Sequence, residues 1–338
     1  SNVITGASGW TNPANAGGTF HNSSPHSGSR NIAFDSLGHM IEVDDGGIYR
    51  RTLPTRNSGD WFSLNGNMQS MQFHDIAYDS NSNVIFGGAL NTGTTQQVTS
   101  GSMIWKTILE NSGGDVAVDD TSLADQGLSI RYVSSELLSD KLSLNPLFTL
   151  PGAVPGQLFQ RLVFDQNNNV VNFPGVSGAV SMTFVGTGSQ VVEQFRTPIE
   201  LNAIDQRHLV IGGNNYIYES FDRGQTVRQI NLGKGIKQLA YGGYRTINGT
   251  PVANQDVLWV VAGVNVFYRE TGVATSPLPS QGFANIHFGD TDETLDVVMD
   301  PDDYRTAYVI DQNNIYMTKD AGANWTEISG GGKLHNII

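Results

Sequence analysis

Acidic residues that could act in pairs are the first chemically suggestive feature of this 338-residue chain. Glycoside hydrolysis needs two carboxyl groups about 5–10 Å apart, one donating a proton and the other acting as base or nucleophile. Asp44 and Asp45 are adjacent in a predicted turn, and Asp75 precedes a predicted apolar strand. Adjacent aspartates in turns more often cap backbone N–H groups. We therefore name these three as candidate catalytic residues, but favour a chain without catalytic activity.

A second group of carboxylates has the density that suits a calcium ion. Asp290, Asp292 and Asp296 stand close together in the sequence, and Ca²⁺ takes about six to eight oxygen ligands. The spacing does not match an EF-hand, so a plain acidic turn is the alternative. The histidines are scattered and there is no cysteine, which excludes thiolate metal sites and cysteine nucleophiles. The sequence therefore requires no cofactor, and Ca²⁺ is the one ion we consider.

The charge balance limits the partners that this chain can have. Its net charge is −13, with 19 Lys and Arg against 32 Asp and Glu. A polyanion is bound by clustered basic residues, so nucleic acid is not an expected partner. No stretch approaches the roughly 18 apolar residues that a membrane span requires, so we expect no membrane insertion. The absence of cysteine fits a bacterial secreted protein, and we expect an extracellular or cell-surface location.

Two matching turns, 98 positions apart, indicate a repeated structural unit. The residues that match are Ser220, Asp222 and Gly224 in the first turn, and Thr318, Asp320, Gly322 and Trp325 in the second. Two periods of about 49 residues would fit this separation, and such a period is typical of propeller blades. The Asp can accept hydrogen bonds from its own turn and the Gly can adopt a positive φ, so we expect a structural role.

A recurring aromatic strand supports the same period. Its aromatic positions are Tyr49, Trp105, Tyr218, Tyr268 and Tyr316. The longest gap, from Trp105 to Tyr218, has room for one further unit, which makes six in all. Each period holds about four short strands separated by Gly, Asn and Asp. The sequence therefore predicts an all-β fold, a β-propeller of four-stranded blades that forms one domain over residues 1–338.

Closure of the ring decides the blade number. Leu334–Ile338 begins another apolar strand, and an open sheet edge would invite pairing with other chains. We expect seven blades, with residues 1–25 completing the last blade together with this tail. Six blades are the second choice. A propeller excised or processed from a longer secreted protein is the main alternative.

The two turns resemble Asp-boxes, the repeated turns of the sialidase-like propellers, which include xyloglucan-cleaving glycosidases and sortilin-type receptor domains. The segments 26–94 and 196–213 are similar to large secreted bacterial Asp-box proteins. This resemblance implies a ligand-binding surface near His26, Arg30, Asn91 and Arg196. The chain departs from the pattern between His26 and Arg30, and again before Gly93, where it lacks a carboxylate that the family usually has.

These observations lead to three functional hypotheses. The first is a secreted, non-catalytic β-propeller module for binding or adhesion to a polysaccharide or protein surface. The second is a glycoside hydrolase, xyloglucanase-like or sialidase-like, that uses paired carboxylates. The third is a structural repeat of a large cell-surface or filament protein, in contact with other domains or copies.

Overall fold

Short antiparallel strands make up almost all of the regular structure. The computed structural model describes residues 23–26, 28–56, 58–66, 71–89, 92–109, 112–135, 159–179, 182–185, 191, 196–271, 284–286 and 292–330. One 3₁₀ turn, Ala124–Gln126, is the helical element within these ranges. No helix in this part of the chain has the length and apolar character to cross a membrane.

The first three sheets follow one another along the chain, and in each the strands pair in order from the inner to the outer edge. The first sheet contains β1 (Asn31–Phe34), β2 (Met40–Asp44), β3 (Gly47–Arg51) and β4 (Trp61–Ser63). The second contains β5 (Phe73–Asp79), β6 (Val84–Ala89), β7 (Gly93–Gln97) and β8 (Trp105–Leu109). The third contains β9 (Gly113–Asp119), β10 (Leu128–Ser135), β11 (Phe159–Asp165), β12 (Val170–Val171) and β13 (Gly178–Ala179).

The last three sheets repeat this order. The fourth contains β14 (Thr183–Phe184), β15 (Ile199–Leu201), β16 (Leu209–Gly212), β17 (Tyr216–Ser220) and β18 (Thr226–Asn231). The fifth contains β19 (Ile236–Ile247), β20 (Thr250–Ala262), β21 (Asn265–Arg269) and β22 (Ala284–Ile286). The sixth contains β23 (Asp296–Met299), β24 (Ala307–Ile310), β25 (Ile315–Thr318) and β26 (Thr326–Glu327). β14 pairs in parallel with β18, whereas the other pairs are antiparallel.

The innermost strands of neighbouring sheets lie side by side, in the order β5, β9, β15, β19 and β23. A strand inside such a stack is covered on both faces, so its sequence is continuously apolar. Val257–Ala262 of β20 is the clearest case, because all six residues are buried. Apolar clusters form between consecutive sheets, as where Ile130 and Tyr132 of the third pack with Ile211 and Tyr218 of the fourth. This radial stacking is the propeller architecture that the sequence predicts.

An arginine–carboxylate pair also links each pair of consecutive sheets from the second to the sixth. In order along the chain, the four pairs are Asp79–Arg131, Asp119–Arg223, Glu219–Arg269 and Glu270–Arg305. The nitrogen–oxygen distance of the ion pair is 2.7 Å in the first pair, 3.7 Å in the second and 2.7 Å in the fourth. In three of the four pairs the guanidinium donates hydrogen bonds to the carboxylate, whereas Arg223 and Asp119 form an ion pair without one. All four pairs position neighbouring sheets relative to one another.

The matching turns each join the third and fourth strands of a sheet. In the first turn Ser220 Oγ donates to Asp222 Oδ1 (2.9 Å) and accepts from the N–H of Gly224 (2.8 Å). Asp222 also accepts from the N–H and the hydroxyl of Thr226, both at 2.7 Å. The second turn repeats this pattern at 2.7–2.9 Å with Thr318, Asp320, Gly322 and Asn324. These bonds are local and lie at the outer side of the sheets.

A glycine substitution tests the backbone requirement of this turn. Gly322 has φ 83° and Ala321 has φ 60°. We expect Gly322→Ala to lower the free energy of unfolding by about 1–2 kcal/mol, because a side chain is strained in the left-handed region. Ala321→Gly is the matched control and should be neutral or slightly stabilising. Urea denaturation measures both, and equal destabilisation by the two changes would contradict this interpretation.

The structure corrects one strand assignment and locates the long gap. Trp105 begins β8, the fourth strand of its sheet, and not the third strand. The third strand is β7, whose five residues are all buried and include Thr94 and Gln96. Its polar composition hides it from a search for apolar strands. The gap between Trp105 and Tyr218 holds the third sheet, as its length suggests. Residues 1–22 and 331–338, which the predicted ring closure involves, lie outside the described residues.

Candidate functional site: carboxylates around the central axis

Four of the inner strands carry a carboxylate close to their first residue. These residues are Asp75 of β5, Asp115 of β9, Glu200 of β15 and Asp296 of β23. In three cases the next residue, Val116, Leu201 or Val297, is buried, so these strands alternate between the axis and the interface of two sheets. Ile76, which follows Asp75, is exposed. The inner strands begin at the same end of the stack, and their carboxylates therefore share one end of the axis.

Backbone hydrogen bonds hold three of these carboxylates in place. Asp75 accepts from the N–H of Ile76 (2.8 Å) and from the N–H of Val116 in the next sheet (3.0 Å). Asp115 in turn accepts from the N–H of Ile199 in the sheet after it (2.6 Å). Asp296 accepts from the following residue at 2.7 Å. The first two carboxylates therefore also connect neighbouring inner strands.

The two remaining inner strands have a neutral residue at the same place. Asn31 of β1 accepts from the N–H of Ile32 (2.8 Å), and Gln238 of β19 accepts from the N–H of Leu239 (2.9 Å). A side-chain oxygen that accepts from the next residue thus recurs on several inner strands. Ionisable groups occupy four of the six positions, so this end of the axis is strongly acidic.

Burial and mutual repulsion shift the titration of these groups. Burial raises the pKa of Glu200 from 4.5 to about 8, and the negative charges of Asp115, Asp75 and Asp296 add to the shift. Burial and the charge of Asp75 hold the pKa of Asp115 well above its usual value. Burial also raises the pKa of Asp75 and of Asp296. The charge of Asp296 in the sixth sheet raises the pKa of Asp75, Asp115 and Glu200 in the second, third and fourth sheets, as expected of carboxylates that face one axis.

None of the four carboxylates has an ion-pair partner within the part of the chain that the structure describes. A cavity of 320 Å³ opens beside two of them, Asp75 and Glu200. Ile76, Val116 and Leu201 contribute apolar surface to its wall. The site therefore combines uncompensated negative charge with an accessible space of side-chain size.

A second acidic cluster lies in the first sheet. Glu42 and Asp44 stand two residues apart on the same face of β2, with exposures of 3% and 8%, and the charge of Asp44 adds to the raised pKa of Glu42. Burial raises the pKa of both groups. One oxygen of each carboxyl, Glu42 Oε2 and Asp44 Oδ2, has no hydrogen-bond partner among the described residues. Two buried carboxyl groups that repel each other in this way favour a state in which only one is ionised.

Three further candidates from the sequence gather around this cluster. Arg30 Nε donates to Asp45 Oδ1 at 2.8 Å, and its NH2 donates to Gln72 Oε1 at 3.2 Å. His26 Nε2 lies 3.1 Å from Thr92 Oγ1 of the second sheet. The structure thus brings His26, Arg30 and Asp45 to the end of the first sheet that also faces the start of β5. Asp75 lies apart from them on the axis.

The other predicted site residues are not brought together. Asn91 and Asp290 lie outside the described residues. Arg196 is exposed in the segment before β15, with φ 60°. Asp292 accepts from Asn313 Nδ2 at 2.8 Å, whereas Asp296 belongs to the axial group. Within the described ranges no three His, Asp or Glu side chains are arranged to hold a metal ion.

Sequence reasoning missed Asp115, Glu200 and Glu42. A usable signal was present for the first two, because each inner strand has, at or near its start, a polar residue followed by an aliphatic one. The six dipeptides are Asn31-Ile32, Asp75-Ile76, Asp115-Val116, Glu200-Leu201, Gln238-Leu239 and Asp296-Val297. Superimposing the periods on these dipeptides would have aligned all four carboxylates. Glu42 carries no comparable signal, because it lies in an otherwise ordinary alternating strand.

The sheets and their acidic axis define this chain as an all-β, β-propeller protein. The solved structure of YCF48 from Cyanidioschyzon merolae is similar, with a TM-score of 0.50 and 11% sequence identity over 90% of this chain and 86% of that chain. A structure described as YCF48 bound to D1 peptide has a TM-score of 0.44 and 10% identity over 89% of this chain and 80% of that one, which is too slight to support an argument. No family model and no curated protein matches the sequence. The comparisons show the fold alone.

Proposed function

We propose that this chain is a non-catalytic, partner-binding propeller whose acidic axial opening receives a basic segment of another protein. The observation that carries the proposal is the set of four converging carboxylates, Asp75, Asp115, Glu200 and Asp296, without ion-pair partners in the described residues. An ammonium or guanidinium group would relieve their mutual repulsion, and so gain more there than beside an isolated surface carboxylate.

Proton release is a direct consequence of this mode of binding. A cation near the axis lowers the raised pKa of Glu200, so binding at neutral pH should expel protons from the site. The affinity for a basic segment should therefore increase as the pH rises towards about 8, the pKa of Glu200 in the unbound chain. The net charge of −13 adds long-range attraction for a basic partner. An extracellular location and membership of the sialidase-like, Asp-box group remain part of this proposal, as does attachment to a larger assembly.

A hydrolase is the second candidate function, and one observation favours it. Glycosidases need one protonated and one ionised carboxyl group at the same pH. Glu200, with a pKa of about 8, would be protonated near neutrality beside the carboxylates of Asp75 and Asp296. A polysaccharide would then be the substrate, and its binding without cleavage would correspond to the adhesion role that the sequence predicts.

Charge removal at the axis tests the leading proposal. A fluorescent 12-residue peptide of alternating Lys and Ser is the probe, and anisotropy is read at low and high salt. We expect Asp296→Asn to weaken binding about tenfold, equivalent to about 1.4 kcal/mol, because one of the converging acidic groups is lost. Asp125→Asn, which removes an exposed charge in the 3₁₀ turn, is the matched control and should have little effect.

The outcomes separate the two functions. Equal affinity of both variants, or no binding of the basic peptide, would contradict the partner-binding proposal. Release of reducing sugar from xyloglucan or another polysaccharide, abolished by Glu200→Gln, would instead establish the hydrolase. Glycan binding without cleavage would favour adhesion to a polysaccharide.

A further inference from the structure

We propose a second binding surface at the other end of the sheets, where the free edge of a long hairpin accepts an extended, acid-bearing segment of a protein partner as an added β-strand. The hairpin is formed by residues 243–255 of β19 and β20, and we call it the arm. Its surface is separate from the axial carboxylates, so this inference does not depend on the proposed function.

The arm is an extension that the other sheets lack. β19 and β20 have 12 and 13 residues, whereas the inner two strands of the sixth sheet have four each. The extended parts pair with each other from Gly243↔Asn254 to Ile247↔Thr250. They turn at Asn248 and Gly249, with φ 52° and 79°, as a two-residue hairpin turn requires. Tyr244, Ile247 and Val252 are exposed on it.

One edge of the arm is already covered. The N–H of Thr246 donates to the carbonyl of Asp302 (3.1 Å), and the N–H of Tyr304 donates to the carbonyl of Tyr244 (2.8 Å). The backbone carbonyl of Tyr244 and the backbone N–H of Thr246 therefore point away from β20. This also fixes the direction in which the backbone groups of their cross-strand partners point. Two residues directly opposite each other in an antiparallel pair point their backbone N–H and C=O groups either towards each other or both away from the pair.

The partners of these two residues form the opposite edge, which is open as far as the described residues go. They are Ala253 and Pro251. The open edge therefore presents the carbonyl of Pro251 and the N–H and carbonyl of Ala253. Next along the strand, the carbonyl of Gln255 accepts from Asn202 Nδ2 at 2.7 Å, which ends the free stretch. β21 pairs with β20 only from Leu258 onwards. Ala253 and Gln255 are exposed. An extended peptide could hydrogen-bond here as an added strand.

A polar cavity of 440 Å³ lies at the base of this edge. Gln255 of the arm lines one side, and Ser122, Asp205, Arg207 and Arg223 are among the residues that line the others. If a peptide strand paired with Ala253, a side chain of that peptide next to the paired position would point towards this cavity. The cavity therefore gives a site of side-chain size next to a site for main-chain hydrogen bonding, the combination that strand-addition grooves use.

The hydrogen-bonding capacity of the cavity indicates an acceptor as ligand. Arg207 has a side-chain exposure of 56% and binds Asp205 through Nε and NH2. Its NH1 makes no hydrogen bond within the described residues. Arg223 donates through NH2 to Ser122 Oγ (2.8 Å), and its buried Nε faces Asp119 Oδ2 at 3.7 Å. The spare NH1 group of Arg207 fits a carboxylate, so the partner segment carries Asp or Glu.

The test uses three nine-residue peptides of alternating Thr and Val with Glu, Gln or Lys at the centre. We expect the intact chain to bind the Glu peptide best. Ala253→Pro should weaken this binding at least tenfold, because it removes the unpaired N–H of the edge, while Ala253→Ser keeps that N–H and should bind normally. Proline is tolerated on edge strands, and circular dichroism checks that both variants remain folded.

Further variants and outcomes decide the chemistry of the partner. Arg207→Gln should abolish the preference for Glu over Gln without preventing strand addition. The inference is overturned if none of the peptides binds, if Ala253→Pro binds as the intact chain does, or if the Lys peptide is preferred. It is also overturned if the arm pairs with a second copy, seen as a concentration-dependent dimer that Ala253→Pro dissociates.

Discussion

Replacing Asp79 with Asn is expected to lower the free energy of unfolding by about 3–5 kcal/mol, the largest effect that the structure predicts. Arg131 is fully buried between the second and third sheets, and its guanidinium lies against Phe86 and Phe164. Asp79 Oδ2 accepts from Arg131 Nε at 3.0 Å and from NH2 at 2.7 Å. Without the carboxylate, the positive charge stays buried and uncompensated.

The comparison with a surface pair isolates the role of burial. Asp205→Asn removes the carboxylate from an ion pair with Arg207 that has a similar short contact, 2.6 Å, but an exposed guanidinium. We expect a loss of about 1 kcal/mol or less there, since water solvates the remaining charge. Urea unfolding at neutral pH measures both variants. Similar losses for the two, or a loss below 1 kcal/mol for Asp79→Asn, would contradict this account.

A second large effect is expected at the axis, where Glu200→Gln should stabilise the fold at alkaline pH. The pKa of Glu200 rises from 4.5 to about 8 in the folded chain. The folded state thus holds a proton that the unfolded state releases above its pKa, and stability falls as the pH increases from about 4.5 to 8. One pKa unit corresponds to about 1.4 kcal/mol, so glutamine should add on the order of 2–4 kcal/mol at pH 9.

The pH profile distinguishes this effect from a general gain in packing. Below pH 4 the intact chain and the Glu200→Gln variant should have nearly equal stability, because Glu200 is protonated in both the folded and the unfolded state. The stability of the variant should then decline less between pH 5 and 8. Asp125→Asn serves again as control and should leave the slope unchanged. Parallel profiles for the intact chain and Glu200→Gln would show that Glu200 is not protonated in the folded state.

Local chemistry explains which parts of the structure could be predicted from the sequence. The side-chain hydrogen bonds that shape the turn at Asp222 lie within seven residues, since they join Ser220, Asp222, Gly224 and Thr226. The same holds for the turn at Asp320. Their spacing, together with the alternating apolar strands, was sufficient to predict an all-β propeller. β7 escaped because its buried residues are polar and bond to distant groups, as Gln96 does to Asn168.

The candidate site depends on contacts that no local pattern records. Asp115 meets the N–H of Ile199 only because two sheets pack side by side, and Asp296 acts on Asp75 across the axis. Likewise, His26 approaches Thr92 of the next sheet, 66 positions further along the chain. The sequence by itself determined the class of fold and the repeated turns, because these arise from alternation and from bonds between near neighbours. Only the tertiary structure decided which carboxylates converge, because that depends on how the sheets are arranged around the axis.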